Sequence, residues 1–170
     1  MQLPDAEKLI ETIAERMRPE ITPDTALVGI HTGGVWLAER LHRALGLVQP
    51  LGTIDVSFYR DDYDSRGLHT RIKPSDIPFD VVDADVILVD DVLFTGRTIR
   101  AAMNELFDYG RPKRVRLAAL VDRGGRELPI APQFIGAELR VSDREQIELT
   151  RGEDGRLGLT VRPRKAGEKD

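Results

Sequence analysis

Val86-Ile87-Leu88-Val89-Asp90-Asp91-Val92-Leu93-Phe94-Thr95-Gly96-Arg97-Thr98 decides the fold. The consecutive apolar residues of 85–90 suit a central parallel strand buried on both faces. Two adjacent carboxylates follow, and a small-residue loop then opens a helix. In open parallel sheets the carboxyl ends of the strands line the ligand crevice. Carboxylates accept hydrogen bonds from sugar hydroxyls, and the amides of a helix N-terminus hold phosphate. Together they suggest a phosphorylated sugar. As a bare dipeptide Asp90-Asp91 also reads as a solvated turn. The strand before it and the Thr-Gly loop after it favour the site. Neither Gly-x-Gly-x-x-Gly nor Gly-x-x-x-x-Gly-Lys-Ser/Thr is present in the chain, which disfavours dinucleotide and P-loop readings.

Outward from this stretch, helix and strand signals alternate as in an α/β domain. Leu9, Ile10, Ile13, Ala14 and Met17 recur at helical spacing and stop near Pro19. Residues 26–30 form a short apolar run ending in His31-Thr32-Gly33-Gly34, and Val35 to Leu45 predicts a second helix stopped by Gly46. Residues 53–59 alternate as a strand around Ile54, Val56 and Phe58. A polar segment at 60–83 is expected to be a flexible loop, read either as a lid or as a solvated excursion. A helix at 97–109 and a buried strand at 115–121 follow, then short strands at 134–135, 146–150 and 157–161 and a frayed tail at 165–170. Residues 1–170 read as one domain. Trp36 reads as packing or an interface, His31 as a local structural residue, and Met103 and Leu106 as core or dimer contacts.

Composition narrows the function classes. The chain has 170 residues, 41% of them hydrophobic, with no uninterrupted apolar run near the N-terminus; a soluble cytoplasmic protein without membrane attachment is expected. The absence of cysteine excludes disulfides and thiol catalysis, and three scattered histidines disfavour a structural zinc site. A net charge of −4 argues against a globally basic nucleic-acid binder. The best basic cluster is Arg111, Lys113, Arg114 and Arg116, where Arg114 and Arg116 share a strand face and read as a solvated edge.

At residues 90–98 the chain resembles the phosphoribosyl-diphosphate motif of the type I phosphoribosyltransferases. With Tyr59-Arg60-Asp61-Asp62 and Leu120-Val121-Asp122-Arg123-Gly124-Gly125-Arg126-Glu127-Leu128-Pro129-Ile130 added, it resembles the PyrR family over about 26–136. That family joins uracil phosphoribosyltransferase activity to RNA-dependent control of pyrimidine operons. The resemblance implies a mostly parallel central sheet flanked by helices with a small C-terminal hood. It also implies transfer of phosphoribosyl from 5-phosphoribosyl 1-diphosphate to uracil, giving UMP and diphosphate. Asp90 and Asp91 are then expected on the ribose hydroxyls, with Thr95, Gly96, Arg97 and Thr98 around the 5′-phosphate and Val92 among the substrate-binding residues. Thr32, Gly33 and Gly34 match the diphosphate loop, and Arg60 or Arg71 is expected near the phosphates when the segment at 60–80 closes, with Arg60 favoured because it sits inside the family motif. Mg²⁺ is expected with the diphosphate, touching Asp90 and Asp91 indirectly.

Two positions separate this pattern from the 6-oxopurine enzymes, which carry an acidic residue where Phe94 stands and a lysine near Asp122. Asp122 and Arg123 are therefore expected to serve a pyrimidine; the competing reading is an ion pair with each other or with a neighbour. Relatives often have arginine after the loop threonine, where this chain has Gly33. Partners implied by the resemblance are uracil, UMP, operon leader RNA and a second copy of the chain, as a homodimer or higher oligomer. The alternatives are an RNA-binding regulator with little catalysis, or transfer to another base.

Overall fold

The computed structural model describes residues 1–57 and 75–168. Asp5 caps the first helix, α1 (Ala6–Met17), by accepting the Glu7 amide at 2.9 Å, and its apolar stripe of Ile10, Ile13, Ala14 and Met17 is buried. Pro19 ends that helix, and one 3-10 turn, Arg18–Glu20, leads out. Strand β1 (Thr25–Ile30) is fully buried and turns into α2 (Gly33–Leu45). Gly46 closes α2 with φ +58°, where a side chain would strain the backbone. Strand β2 is Gly52–Ile54, β3 is Asp85–Leu93, and α3 is Arg97–Asp108. Strands β4 (Arg114–Asp122), β5 (Phe134–Glu138), β6 (Glu145–Arg151) and β7 (Leu157–Pro163) complete the chain order.

The five-stranded sheet runs β2-β1-β3-β4-β5 and all its pairings are parallel. Strand alternation divides its side chains between two cores. Ile87, Val89, Ala118 and Leu120 pack with α1, α2 and the β6-β7 hairpin, whereas Val86, Leu88, Leu117 and Ala119 pack with Ile99, Ala102 and Leu106 of α3. Met103 packs at the margin of the second core. The antiparallel β6-β7 hairpin is the small C-terminal hood, and its Ile147, Leu149 and Leu157 join the first core. Among the described residues no helix is long and apolar enough to cross a membrane.

Three expectations are corrected. Strand β3 does not stop at Asp90, because its register with β4 continues through Val92↔Val121 and Leu93↔Asp122. Strand β2 ends at Ile54, where the predicted strand at 53–59 continued: the Asp55 carboxylate turns to the Ser57 amide at 2.9 Å, competing with further pairing. Phe58, Tyr59, Arg60 and Arg71 lie outside the described residues. Of Arg114 and Arg116, read as a solvated edge, Arg114 is exposed but Arg116 is not. Asp85 takes two bonds from Arg114, at 3.0 and 2.8 Å, and one from Arg116 at 2.9 Å, and Glu20 meets Arg116 at 3.1 Å. Arg116 is buried there.

Candidate active site

The chain runs from β1 outward to β2 and returns to place β3 on the other side of β1, so neighbouring crossovers diverge between β1 and β3. Such a switch point opens a crevice at the carboxyl ends of the strands. Here it is a cavity of about 420 Å³. Its lining includes Thr32 and Gly33 from the β1-α2 turn, Asp90, Asp91 and Val92 from β3, and Phe94 and Thr98 around the start of α3. Arg123 follows β4 on the same wall. Thus Thr32 and Gly33, expected at the diphosphate, share one cavity with Asp90 and Asp91, expected at the ribose, although Gly33 and Asp91 are 58 positions apart in the sequence.

Because successive strand residues face opposite ways, Asp90 falls on the α3 side of the sheet and Asp91 on the α2 side. Asp90 is buried and accepts the Asp91 amide at 3.0 Å. Asp91 faces the glycine turn so closely that a β-carbon on Gly33 would lie 2.2 Å from its Oδ2. A β-carbon on Gly34 would meet the Val89 carbonyl oxygen at 2.5 Å. Small residues are therefore needed at 33 and 34 to seat the turn against β3.

Thr95, buried, accepts the Arg97 amide on its hydroxyl at 3.2 Å. Gly96 follows at φ +92°, and α3 starts at Arg97. The first turn of α3 thereby offers N–H groups without intrahelical partners close to Thr98, itself on the cavity wall. Arg97 lies partly outside, with its Nε on Glu127 at 2.6 Å. Thr95, Gly96, Arg97 and Gly34 shape this end without being among the residues that line the cavity.

Asp122 is likewise absent from the lining; it ion-pairs with Arg126 at 2.5 Å and accepts the Gly124 amide at 2.9 Å. Burial opposes its charge, but these bonds and the nearby guanidinium of Arg126 outweigh burial and hold its pKa below the ordinary carboxylate value. Of the two readings for this pair, the geometry gives Asp122 the neighbouring ion pair. Arg123 remains at the cavity, over the Phe94 ring at 3.9 Å, and donates to the Glu145 carbonyl at 3.1 Å.

The hood supplies residues that sequence reading missed: Gln146, Ile147, Glu148 and Leu149 from β6, and Arg164 and Glu168 from the end of the chain. No local pattern marks them, since only hairpin folding brings them over β3. The expected frayed tail is held as far as Glu168, whose carboxylate takes bonds from Arg162 at 2.6 and 3.0 Å and from the Lys165 amide at 3.1 Å. The Arg162 pairing lowers the Glu168 pKa to about 2. Trp36, read as packing, also lines the cavity, with the Arg151 guanidinium 4.7 Å from its ring centre.

Residues 2–145 match the family model for the phosphoribosyl transferase domain. A protein named Bifunctional protein PyrR from Pseudomonas fluorescens is 49% identical over 154 residues, covering 88% of this chain and 92% of that protein. The protein of the same name from Nitrosococcus oceani is 52% identical over 138 residues, covering 80% of this chain and 78% of that protein. The chain belongs to the PyrR family. Among solved structures, a hypoxanthine-guanine phosphoribosyltransferase from Bacillus anthracis superposes with TM-score 0.65 at 19% identity, covering 82% of this chain and 83% of that one. The hypoxanthine phosphoribosyltransferase of Trypanosoma cruzi gives 0.62 at 20% identity, with 81% of each chain covered. These likenesses show the type I phosphoribosyltransferase fold.

The stretch that resembles the PyrR family most narrowly, residues 122–130, has a physical job in this fold. Arg126 donates to the Phe94 carbonyl at 2.8 Å and to the Ile130 carbonyl at 2.9 Å, while the amides of Glu127 and Leu128 bond the Thr95 carbonyl at 2.9 and 3.1 Å. Ile130 closes over Gly96, and Gly125, at φ +80°, lies against the Phe94 ring. The PyrR signature is therefore a brace under the Phe94-Thr95-Gly96 loop. Each of its hydrogen bonds contributes roughly 1 kcal/mol, and jointly they limit the loop to one shape.

Proposed function

We propose that the protein transfers the phosphoribosyl group of 5-phosphoribosyl 1-diphosphate to uracil, forming UMP and releasing diphosphate. The observation that carries this reading is the convergence of Asp90, Asp91, the Thr32-Gly33-Gly34 turn and the start of α3 on one cavity. Asp90 and Asp91 accept hydrogen bonds from the ribose hydroxyls. Thr95, Gly96, Arg97 and Thr98 receive the 5′-phosphate on amides, hydroxyls and the positive end of α3, and Val92 supports the ribose from β3. Thr32, Gly33 and Gly34 present the backbone to the diphosphate. The C1′–O bond breaks with its electron pair leaving on diphosphate, and uracil N1 bonds C1′ as its proton is lost. Positive charge grows at C1′ in between, so exclusion of water matters. Arg60, outside the described residues, serves the phosphates in this reading.

Among the described residues no group of three or more histidine, cysteine, aspartate or glutamate side chains could hold a metal ion. Two carboxylates at the cavity do fit Mg²⁺ held mostly by diphosphate, ribose and water oxygens, with Asp90 and Asp91 reaching it indirectly. When bound, that ion neutralises charge on the leaving diphosphate. Phe94 cannot accept a proton from a purine ring nitrogen, and Asp122, paired with Arg126, presents no donor to a purine carbonyl. Both features favour the pyrimidine. Transfer of label from 5-phosphoribosyl 1-diphosphate to uracil, set beside hypoxanthine, guanine and orotate, tests the reading; folded protein that makes no UMP contradicts it.

The relatives are named bifunctional, which favours a second role in the same cytoplasmic protein: UMP-responsive binding of pyrimidine operon leader RNA, with a homodimer as the binding unit. Arg114 and Arg116 are engaged by Asp85 and Glu20, leaving Arg111 and Lys113 as the parts of that cluster free for RNA in this role. Gel-shift titration with the operon's own leader, with and without UMP and over a salt series, tests it, because phosphate contacts weaken steeply with salt.

A further inference from the structure

Beyond β7 the chain turns back over the cavity. The Arg164 amide bonds the Arg144 carbonyl at 2.7 Å, and the Arg162 guanidinium is gripped by Glu168 and by Glu148 of β6. This places Arg164 on the cavity wall, with its guanidinium centre 5.1 Å from the Phe94 ring centre. Arg123 lies against the same ring at 3.9 Å. The two arginines differ in what else they hold. Arg123 bonds the carbonyls of Glu145 and, at 3.5 Å, Ser142, which ties the β4 end to the hood. The guanidinium of Arg164 makes no hydrogen bond or ion pair with any described residue, and its five N–H donors have no acceptor there. The two nearby acidic side chains on that wall, Glu148 and Glu168, are both taken by Arg162. Phe94 and Arg164 line the same cavity as Asp90 and Asp91, so a base joined to a ribose held there comes close to Arg164.

We propose that Arg164 is a specificity-determining residue: its guanidinium donates to a ring carbonyl of the acceptor base, and the Arg162-Glu168 pair positions the segment that carries it. The assignment rests on the uracil reading of the same cavity. A half-buried donor that the bound base covers rewards a carbonyl oxygen and rejects an amino group or a weak acceptor at the same ring position, because a covered guanidinium facing either loses its partner. Uracil is thereby preferred over cytosine and over 4-thiouracil. Glu168 has no contact with the base in this scheme; it acts through Arg162.

Steady-state kinetics of the full chain and of R164M and R164K test this. R164M is expected to raise KM for uracil about tenfold or more, as the loss of a charged hydrogen bond requires, with KM for 5-phosphoribosyl 1-diphosphate unchanged within about twofold. It is also expected to erase most of the preference for uracil over 4-thiouracil, and R164K to restore part of it. E168Q is expected to raise KM for uracil less and to keep that preference. The sole tryptophan, Trp36, lines the same cavity, so quenching of its fluorescence by UMP reads binding without turnover. R164M should weaken UMP there to a similar degree. If the unmodified protein makes or binds UMP and R164M retains both its affinity and its discrimination, the assignment is overturned while the uracil reading stands. If the unmodified protein neither makes nor binds UMP, both are overturned. A variant that loses uracil and 5-phosphoribosyl 1-diphosphate equally also overturns it, since that pattern is a general collapse of the site.

Discussion

Gly33 and Asp91 are packed so tightly that a β-carbon on the glycine would lie 2.2 Å from the carboxylate oxygen. This contact joins the start of α2 to the end of β3 across the switch point of the sheet, and it ties the proposed diphosphate loop to one of the proposed ribose clamps. At position 33 this chain needs the smallest residue if Asp91 is to stay where it is.

Gly33→Ala should therefore damage activity more than folding. The added methyl group must displace Asp91 or the turn, and misplacement on the order of 1 Å costs about 100-fold in rate. The melting temperature should fall only by the few degrees typical of mild overpacking. Kinetics and thermal denaturation of the same preparation decide it; near-normal kcat/KM would mean that Asp91 can move without consequence.

Asp90→Asn and Asp91→Asn keep an acceptor oxygen and side-chain volume but lose charge. Each should lower kcat/KM by about 10- to 100-fold, the worth of a charge-assisted hydrogen bond, and D90N/D91N together should abolish measurable UMP formation. Circular dichroism and melting should remain near those of the parent protein. Near-normal turnover by the double variant would remove both residues from ribose binding.

Asp85 is buried between Arg114 and Arg116. Burial is the largest influence on its ionisation and opposes the charge, yet the two arginines outweigh it and its pKa lies below the ordinary carboxylate value. A depressed carboxylate stabilises the fold above its unfolded pKa and loses that contribution as the pH falls toward the folded one. Asp85→Ala should cost roughly 3 kcal/mol or more at neutral pH, because it leaves the buried Arg116 with only the half-exposed Glu20 as an acidic partner, and the double variant D85A/R116M should recover part of that loss. Urea denaturation of the three proteins checks the ordering. Equal stability of D85A and D85A/R116M would show that Arg116 does not need its partner.

Glu168 should titrate far below a free glutamate. Its value of about 2 against an ordinary 4.5 arises first from the Arg162 hydrogen bonds, partly opposed by burial. The contribution of this pair to holding the C-terminal segment is therefore complete above about pH 4.5 and lost as the pH falls toward 2. Carboxyl-carbon chemical shifts across that range give the midpoint. A midpoint near 4.5 would mean that Arg162 and Glu168 are apart in solution.

Local physics made much of this readable before folding. The apolar run of β3 required burial on both faces, Pro19 and Gly46 stopped their helices through backbone geometry, and Asp90-Asp91 before Thr95-Gly96 had a chemistry that few other contexts explain. Other readings failed because long-range partners override local preference. Pairing with β4 carried β3 to Leu93, and Asp85 and Glu20 drew Arg116 out of solvent.

The sequence by itself determined the alternation of strands and helices, the paired carboxylates and small-residue loop of the proposed site at 90–98, and the family resemblance, since each depends on residues adjacent in the chain. Tertiary structure alone decided that Gly33 seats Asp91, that residues 122–130 brace the loop at 94–96, and that Arg164 reaches the wall beside Phe94. Those contacts span tens of residues. They exist only because the switch point and the hood hairpin bring distant segments within a few ångströms, and no local periodicity encodes such a distance.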